Sequence, residues 1–222
     1  MQRAQVEEGK VTSVTLQNVP SFLHFENLEL RVPGIGRVAV DVAYGGDYYI
    51  IVPAERVGLT IVPEQHQAIL AMGKKIREAM CSQVEIRHPQ NPWINTAKFV
   101  QFSAPPTRPD ATLRNTVVGT PGQIDRSPCG TGTCPKMAAL FAKGELGLGE
   151  EFVHESIIGT VFRGRVLGET RVGPFKAAVP EFSGSAYISG MGHLLLDKRD
   201  PFPSGYLLGA RSEADVGQKA KV

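Results

Sequence analysis

The sequence predicts an α+β fold dominated by antiparallel strands. Short runs rich in β-branched residues recur along the chain with alternating polarity, and turns containing Gly, Pro or Asp separate them. Only two stretches carry apolar residues at helical spacing, and there is no tandem repeat.

Taken in order, residues 11–16 and 28–32 alternate as strands. Pro33-Gly-Ile-Gly36 is a turn into a strand over 37–44, and Gly45-Gly-Asp47 turns the chain into a strand over 48–52. Together these runs predict an antiparallel meander. A helix is expected from Pro63, a residue suited to a first helical position, to Cys81, with Ile69, Met72, Ile76 and Met80 on one stripe. Strands follow over 84–87, 98–103 and 112–118, with proline-rich loops at 89–92 and 105–109. A second helix is predicted over 131–143, closed by Gly144, and further strands over 156–161, 163–166, 175–179 and 185–189. The stretch 194–209 is expected to cross to another unit, and the final dozen residues to be disordered.

With 42% hydrophobic and 21% charged residues, the 222-residue chain can bury a core. Its net charge of +2 comes from scattered Lys and Arg, which argues against a nucleic-acid partner. The start is polar, with no apolar signal region, and no run reaches the roughly 18 apolar residues of a membrane span. Cys81, Cys129 and Cys134 make an odd count without a C-x-x-C pair, so a disulfide framework is not expected and a reducing cytoplasm is. The five histidines are dispersed and form no H-E-x-x-H, so no metal site is expected. Gly144, Gly147 and Gly149 follow a helix and read as a cap and turn, not a nucleotide loop. His154-Glu155 has no second histidine at ligand spacing and is expected at the surface.

The segment that carries chemistry is Gly122-Gln-Ile-Asp-Arg-Ser-Pro-Cys129-Gly-Thr-Gly-Thr133. A Gly/Thr turn entering a helix presents free backbone N–H groups, an anion site reinforced by the helix dipole. A cysteine there should have its thiolate favoured and its pKa lowered. Asp125 could accept hydrogen bonds from an ammonium, or cap the turn. These groups suit an amino acid, with amides for its carboxylate, Asp125 for its amine and a thiol at its α-carbon. On local pattern alone Cys129 is also compatible with a small buried hydrophobe.

Residues 125–133 resemble the signature around the second catalytic cysteine of the proline racemase family. Val19-Pro-Ser-Phe22, Val32-Pro-Gly-Ile-Gly-Arg-Val38, Asp41-Val-Ala-Tyr-Gly-Gly46, His88-Pro89, Gly184-Ser-Ala-Tyr-Ile-Ser-Gly190 and Asp200-Pro-Phe202 extend the likeness in order. The resemblance implies a half of a diaminopimelate epimerase-like fold, a curved, mostly antiparallel sheet wrapped around a central helix. Residues 1–195 would form the second lobe, and 196–222 would return to a first lobe. It also implies cofactor-independent inversion of an imino acid, proline or 4-hydroxyproline (the second preferred), by two cysteines. Cys129 would be one acid/base, Asp125 an amine contact, and Gly130 and Thr131 the carboxylate amides. A cysteine at 129 favours inversion over the dehydration seen in relatives that carry Thr there. The family's first cysteine, in a Met-Cys-Gly-His-like motif, has no counterpart here; Cys81 lacks the Gly-His and is expected to be buried and structural. The implied partners are a separate N-terminal half or a homodimer pairing two Cys129 residues. The alternative is a non-catalytic half-protein that binds an imino acid or a partner. Pro135 would fix the helix origin near Gly130, with Cys134 facing the core.

Overall fold

The computed structural model describes residues 2–120, 122–203 and 205. Contacts divide the chain into a compact unit, Met1–Ser185, and a second, Ala186–Val222. The first unit contains strands β1 (Gln2–Glu7), β2 (Lys10–Gln17), β3 (Ser21–Val32), β4 (Gly36–Tyr44), β5 (Tyr48–Pro53), β6 (Ala97–Ala104), β7 (Leu113–Gly119), β8 (Gln123–Ile124), β9 (Phe152–Glu155), β10 (Val161–Val172) and β11 (Phe175–Gly184). Its two α-helices are α1 (His66–Gln83) and α2 (Gly130–Ala142). The described part of the second unit, 186–203 and 205, has no helix or strand.

The sheet closes on itself. Its order runs β3-β4-β5-β6-β7-β9-β10-β11, and β11 returns to β3 through Ala177↔Phe22 and Ala178↔Ser21. The other end of β11 pairs with β2, so the β1–β2 ribbon continues from the ring. Among the described strand–strand pairings only β5–β6 and β7–β9 are parallel. Parallel neighbours need a long crossover, and the chain supplies α1 for the first pair and α2 for the second.

The two helices cover opposite faces of β5, which explains why an unbroken buried run, Tyr48–Val52, is stable there. Tyr48, Ile50 and Val52 join the cluster containing Ile69, Ile76 and Met80 of α1. Tyr49 and Ile51 join Cys129 and Ala139 on the α2 side. Each such aliphatic side chain, fully buried, contributes about 1.5–3 kcal/mol. Helix α2 touches β3, β4, β5, β10 and β11 and is buried from Gly132 to Pro135 and from Met137 to Ala139. A helix apolar on nearly every side is stable only when enclosed in this way.

Gly45 makes that enclosure possible. A Cβ at this position would lie 2.3 Å from Pro135 Cδ and 2.8 Å from Pro135 N. Gly45→Ala is therefore expected to destabilise the fold by about 1–3 kcal/mol through overpacking against rigid backbone. A lowered urea midpoint with unchanged m-value would show it, and an unchanged midpoint would contradict the packing described.

Several predicted elements form as expected, among them both helices and the Gly144 cap (φ +75°). Others do not. The meander holds for β3–β4–β5, but β2 pairs with β1 and β11, not β3. Residues 84–87 are not a strand; Val84 N–H donates to the last turn of α1 at Met80 O. Residues 156–160 form a turn, held by Ser156 N–H to Thr160 O and Gly159 at φ +80°, and the strand lies just before them, as β9. Residues 185–189, which follow the end of β11, have no strand. His154 and Glu155 are fully buried, not at the surface, because β9 lies between β7 and β10. The Glu155 carboxylate accepts from Thr107 N–H, the Thr107 hydroxyl and Arg108 N–H. The expected disorder of the last dozen residues lies outside the described residues.

Candidate active site

The turn from Asp125 to Gly130 is built by short hydrogen bonds that the sequence itself supplies. Asp125 Oδ1 accepts from Ser127 N (2.8 Å) and Ser127 Oγ (2.8 Å), and Cys129 N–H donates to Ser127 Oγ (3.0 Å). Asp125 N–H is anchored on Val117 O of β7 (3.0 Å). This is an Asx-type turn leading directly into α2.

Cys129 is the N-cap of α2, at φ 65° and ψ 109°. A positive φ is sterically unfavourable for a residue with a Cβ, and such strain persists only where surrounding contacts enforce it. Those contacts lie beneath the turn. Thr133 Oγ1 meets Cys129 O at 2.8 Å and His154 Nδ1 at 2.9 Å, Asn115 Nδ2 donates to Pro128 O at 2.8 Å, and Gln101 Nε2 to Gly132 O at 3.2 Å. Gln101, Asn115, Thr133 and His154 are all buried. They form a polar shelf that grips the carbonyls of residues 128, 129 and 132.

Above the shelf, Cys129 is buried, with 8% of the residue exposed. Tyr49 Oη lies 3.4 Å from Cys129 Sγ and 2.6 Å from Thr131 Oγ1. The N–H groups of Gly130 and Thr131 belong to the first turn of α2, where no intrahelical acceptor exists. Gly130 is needed on steric grounds, since a Cβ there would come within 2.5 Å of Phe182 Cζ.

The four residues expected at the site thus fall in one local cluster: Cys129 at the helix origin, Gly130 and Thr131 in its first turn, and Asp125 in the turn leading to it. The expected lowering of the Cys129 pKa is not met. Burial raises it, and the neighbouring Asp125 charge adds to this; the Tyr49 hydroxyl, Gly132 N–H and Thr131 hydroxyl oppose the rise without cancelling it. A helix N-terminus favours a thiolate, but here desolvation wins and the thiol rests protonated.

Cys134 is fully buried, as expected, and burial pushes its thiol up to about 12. Cys81 is exposed, contrary to expectation: it lies in the last turn of α1 outside the buried stripe of Ile69, Ile76 and Met80, and its Sγ is 3.9 Å from Thr96 Oγ1. Sequence reasoning missed Tyr49 and the shelf. The doublet Tyr48-Tyr49 on a buried strand was the available signal, since alternation sends one ring to each face. Among the described residues no group of three or more His, Cys, Asp or Glu could hold a metal, and no helix is long and apolar enough to cross a membrane.

Comparison with known proteins agrees with the sequence resemblance. Proline racemase from Clostridioides difficile is 44% identical over 203 residues, covering 91% of this chain and 61% of that protein. 4-Hydroxyproline 2-epimerase from Streptosporangium roseum is 47% identical over 205 residues, covering 92% of this chain and 61% of that protein. The crystal structure of a hydroxyproline epimerase from Agrobacterium vitis with bound trans-4-hydroxy-L-proline matches with a TM-score of 0.82 at 34% identity, over 92% of this chain and 58% of that one. The chain therefore spans 61% of the length of the two curated relatives. The model of the family described as proline racemase matches residues 1–207, and the chain belongs to that family.

Proposed function

We propose that this chain forms one wall of an imino-acid racemase or epimerase site that needs no cofactor, in a two-lobed arrangement like that of diaminopimelate epimerase. The substrate is proline or 4-hydroxyproline. Its carboxylate sits on the Gly130 and Thr131 amides, Asp125 takes the ring ammonium, and Cys129 exchanges a proton with one face of the α-carbon. The observation that carries this reading is the strained Cys129 at the origin of α2, gripped from below and flanked by free amides.

The chemistry is a balanced proton exchange. A thiolate on one face takes the α-proton, the C–H electron pair flows toward the carboxylate, and a thiol on the other face returns a proton. The amides stabilise the charge that builds on the carboxylate in the transition state. A resting thiol at position 129 is in the proton-donating state, and it becomes the base when the reaction runs in reverse. Cys134 is sealed in the core and Cys81 lies on the exposed side of the last turn of α1, so the opposing thiol comes from the part of the family's length that this chain does not span.

Seating of the imino acid is testable by protection. The chain is joined to the part of the C. difficile relative that its match does not cover. Alkylation of Cys129 by iodoacetamide, followed by peptide mass spectrometry, should slow as L-proline or trans-4-hydroxy-L-proline saturates the protein, while Cys81 reacts unchanged. Equal alkylation of Cys129 with and without either imino acid in a folded fusion would overturn the assignment and favour a non-catalytic half-protein.

A further inference from the structure

We propose that Tyr49 is a positioning residue for Cys129, holding Sγ through a hydroxyl relay that ends on Thr131. The geometry points to it. Tyr49 is fully buried in β5, hydrogen-bonded into the sheet between β4 and β6, and its ring stacks on Phe99 (centroids 5.0 Å apart, 15° between planes). The phenol is thereby fixed, and its oxygen reaches Cys129 Sγ at 3.4 Å and Thr131 Oγ1 at 2.6 Å. Gly132 leaves room for the approach, since a Cβ there would stand 3.1 Å from Cys129 Sγ and 3.2 Å from Tyr49 Cε1.

Two hydroxyl rotors in series can serve both protonation states of the sulfur. With a thiol, S–H donates to Tyr49 Oη and Tyr49 O–H donates to Thr131 Oγ1. With a thiolate, both reverse: Tyr49 O–H donates to sulfur and Thr131 O–H donates to Tyr49 Oη. No proton enters or leaves the relay except the one on sulfur, and the exposed Thr131 can exchange its spare hydrogen bond with solvent. Burial disfavours ionisation of Tyr49 itself, so the phenol stays a donor while the sulfur ionises. A hydrogen bond to an ionised sulfur is stronger than one to a neutral thiol, so the relay favours the thiolate over what burial alone would permit.

The inference deepens the function proposed above, but its test needs no substrate. In the full chain carrying Cys81→Ser, the rate of Cys129 alkylation by iodoacetamide is followed from roughly pH 6 to 11, a range that spans ordinary thiol titration. Tyr49→Phe keeps the ring and removes the hydroxyl, and should move the midpoint up by about one pH unit or more. Thr131→Val, at an exposed position, should move it in the same direction by less. A purely structural role for Tyr49 would move it the other way, because looser packing would hydrate the sulfur and ease its ionisation. An unmoved or lowered midpoint in Tyr49→Phe overturns the relay, and so does an unmoved midpoint in Thr131→Val should the tyrosine variant fail to fold. A raised midpoint in a protein that never exchanges an α-proton would keep the relay and sink the functional reading; the converse pair of results would do the opposite.

Discussion

Cys129→Ser is expected to lower imino-acid inversion by about 10²–10⁴-fold, the range over which a positioned proton donor or acceptor contributes to catalysis. Serine preserves the size and the turn but replaces a thiol with a hydroxyl that is a far weaker acid. The loss should fall on kcat, because the Gly130 and Thr131 amides and the Asp125 turn are main-chain features or separate side chains that serine leaves in place. Measured in the fusion described above, a variant with near-normal kcat would remove Cys129 from the reaction, and a rise in KM alone would recast it as a binding residue.

The second large effect concerns the shelf. His154 is fully buried, and burial, with the charge of Lys136 in support, pushes its pKa down from 6.5 to about 3. Its folded-state pKa therefore lies below the unfolded value, and the unfolded chain binds the extra proton at intermediate pH. The stability contribution is complete above pH 6.5 and is lost progressively as pH falls toward about 3. Between pH 6.5 and about 5 the loss is about 2 kcal/mol, since each pH unit in the window corresponds to about 1.4 kcal/mol. His24 and His88 are also shifted down by burial and add slope of the same sign. His154→Asn should be less stable at neutral pH, through loss of the Thr133 contact, yet show a visibly shallower decline on acidification. Urea midpoints at a series of pH values would reveal this. An unchanged slope would mean that His154 takes up its proton in the folded state without penalty.

Local signals made much of the fold legible. Alternation marked β4, the fixed-φ Pro63 marked a 3-10 turn that leads into α1 three residues later, and a left-handed glycine marked the end of α2. Elements whose identity depends on distant partners were not legible. Strand β9 is buried on both faces and shows no alternation, so the β-branched Ile157 and Ile158 drew the prediction into the following turn. Strand β1 is exposed along its length and has no apolar face to read. Closure of the ring rests on two residue pairs joining β11 to β3 across more than 150 positions.

The site divides in the same way. The Asp125–Thr131 turn was readable because the Asp125–Ser127–Cys129 hydrogen bonds that shape it are local. Tyr49 lies 80 positions from Cys129 and is brought there by sheet pairing, so nothing near Cys129 announces it. The direction of the Cys129 pKa was misjudged for a related reason. The helix terminus is visible in sequence, but the degree of burial is a tertiary fact.

The most direct measurement follows deuterium at the α-carbon in D2O at early times, starting separately from the L and D imino acid, with the fused chain. Two acid/base groups on opposite faces, Cys129 being one, predict product carrying solvent deuterium while unreacted substrate stays protiated, with the pattern abolished by Cys129→Ser. Deuterium washing into unreacted substrate, protium carried into product, or inversion that persists in Cys129→Ser would contradict the role assigned to Cys129.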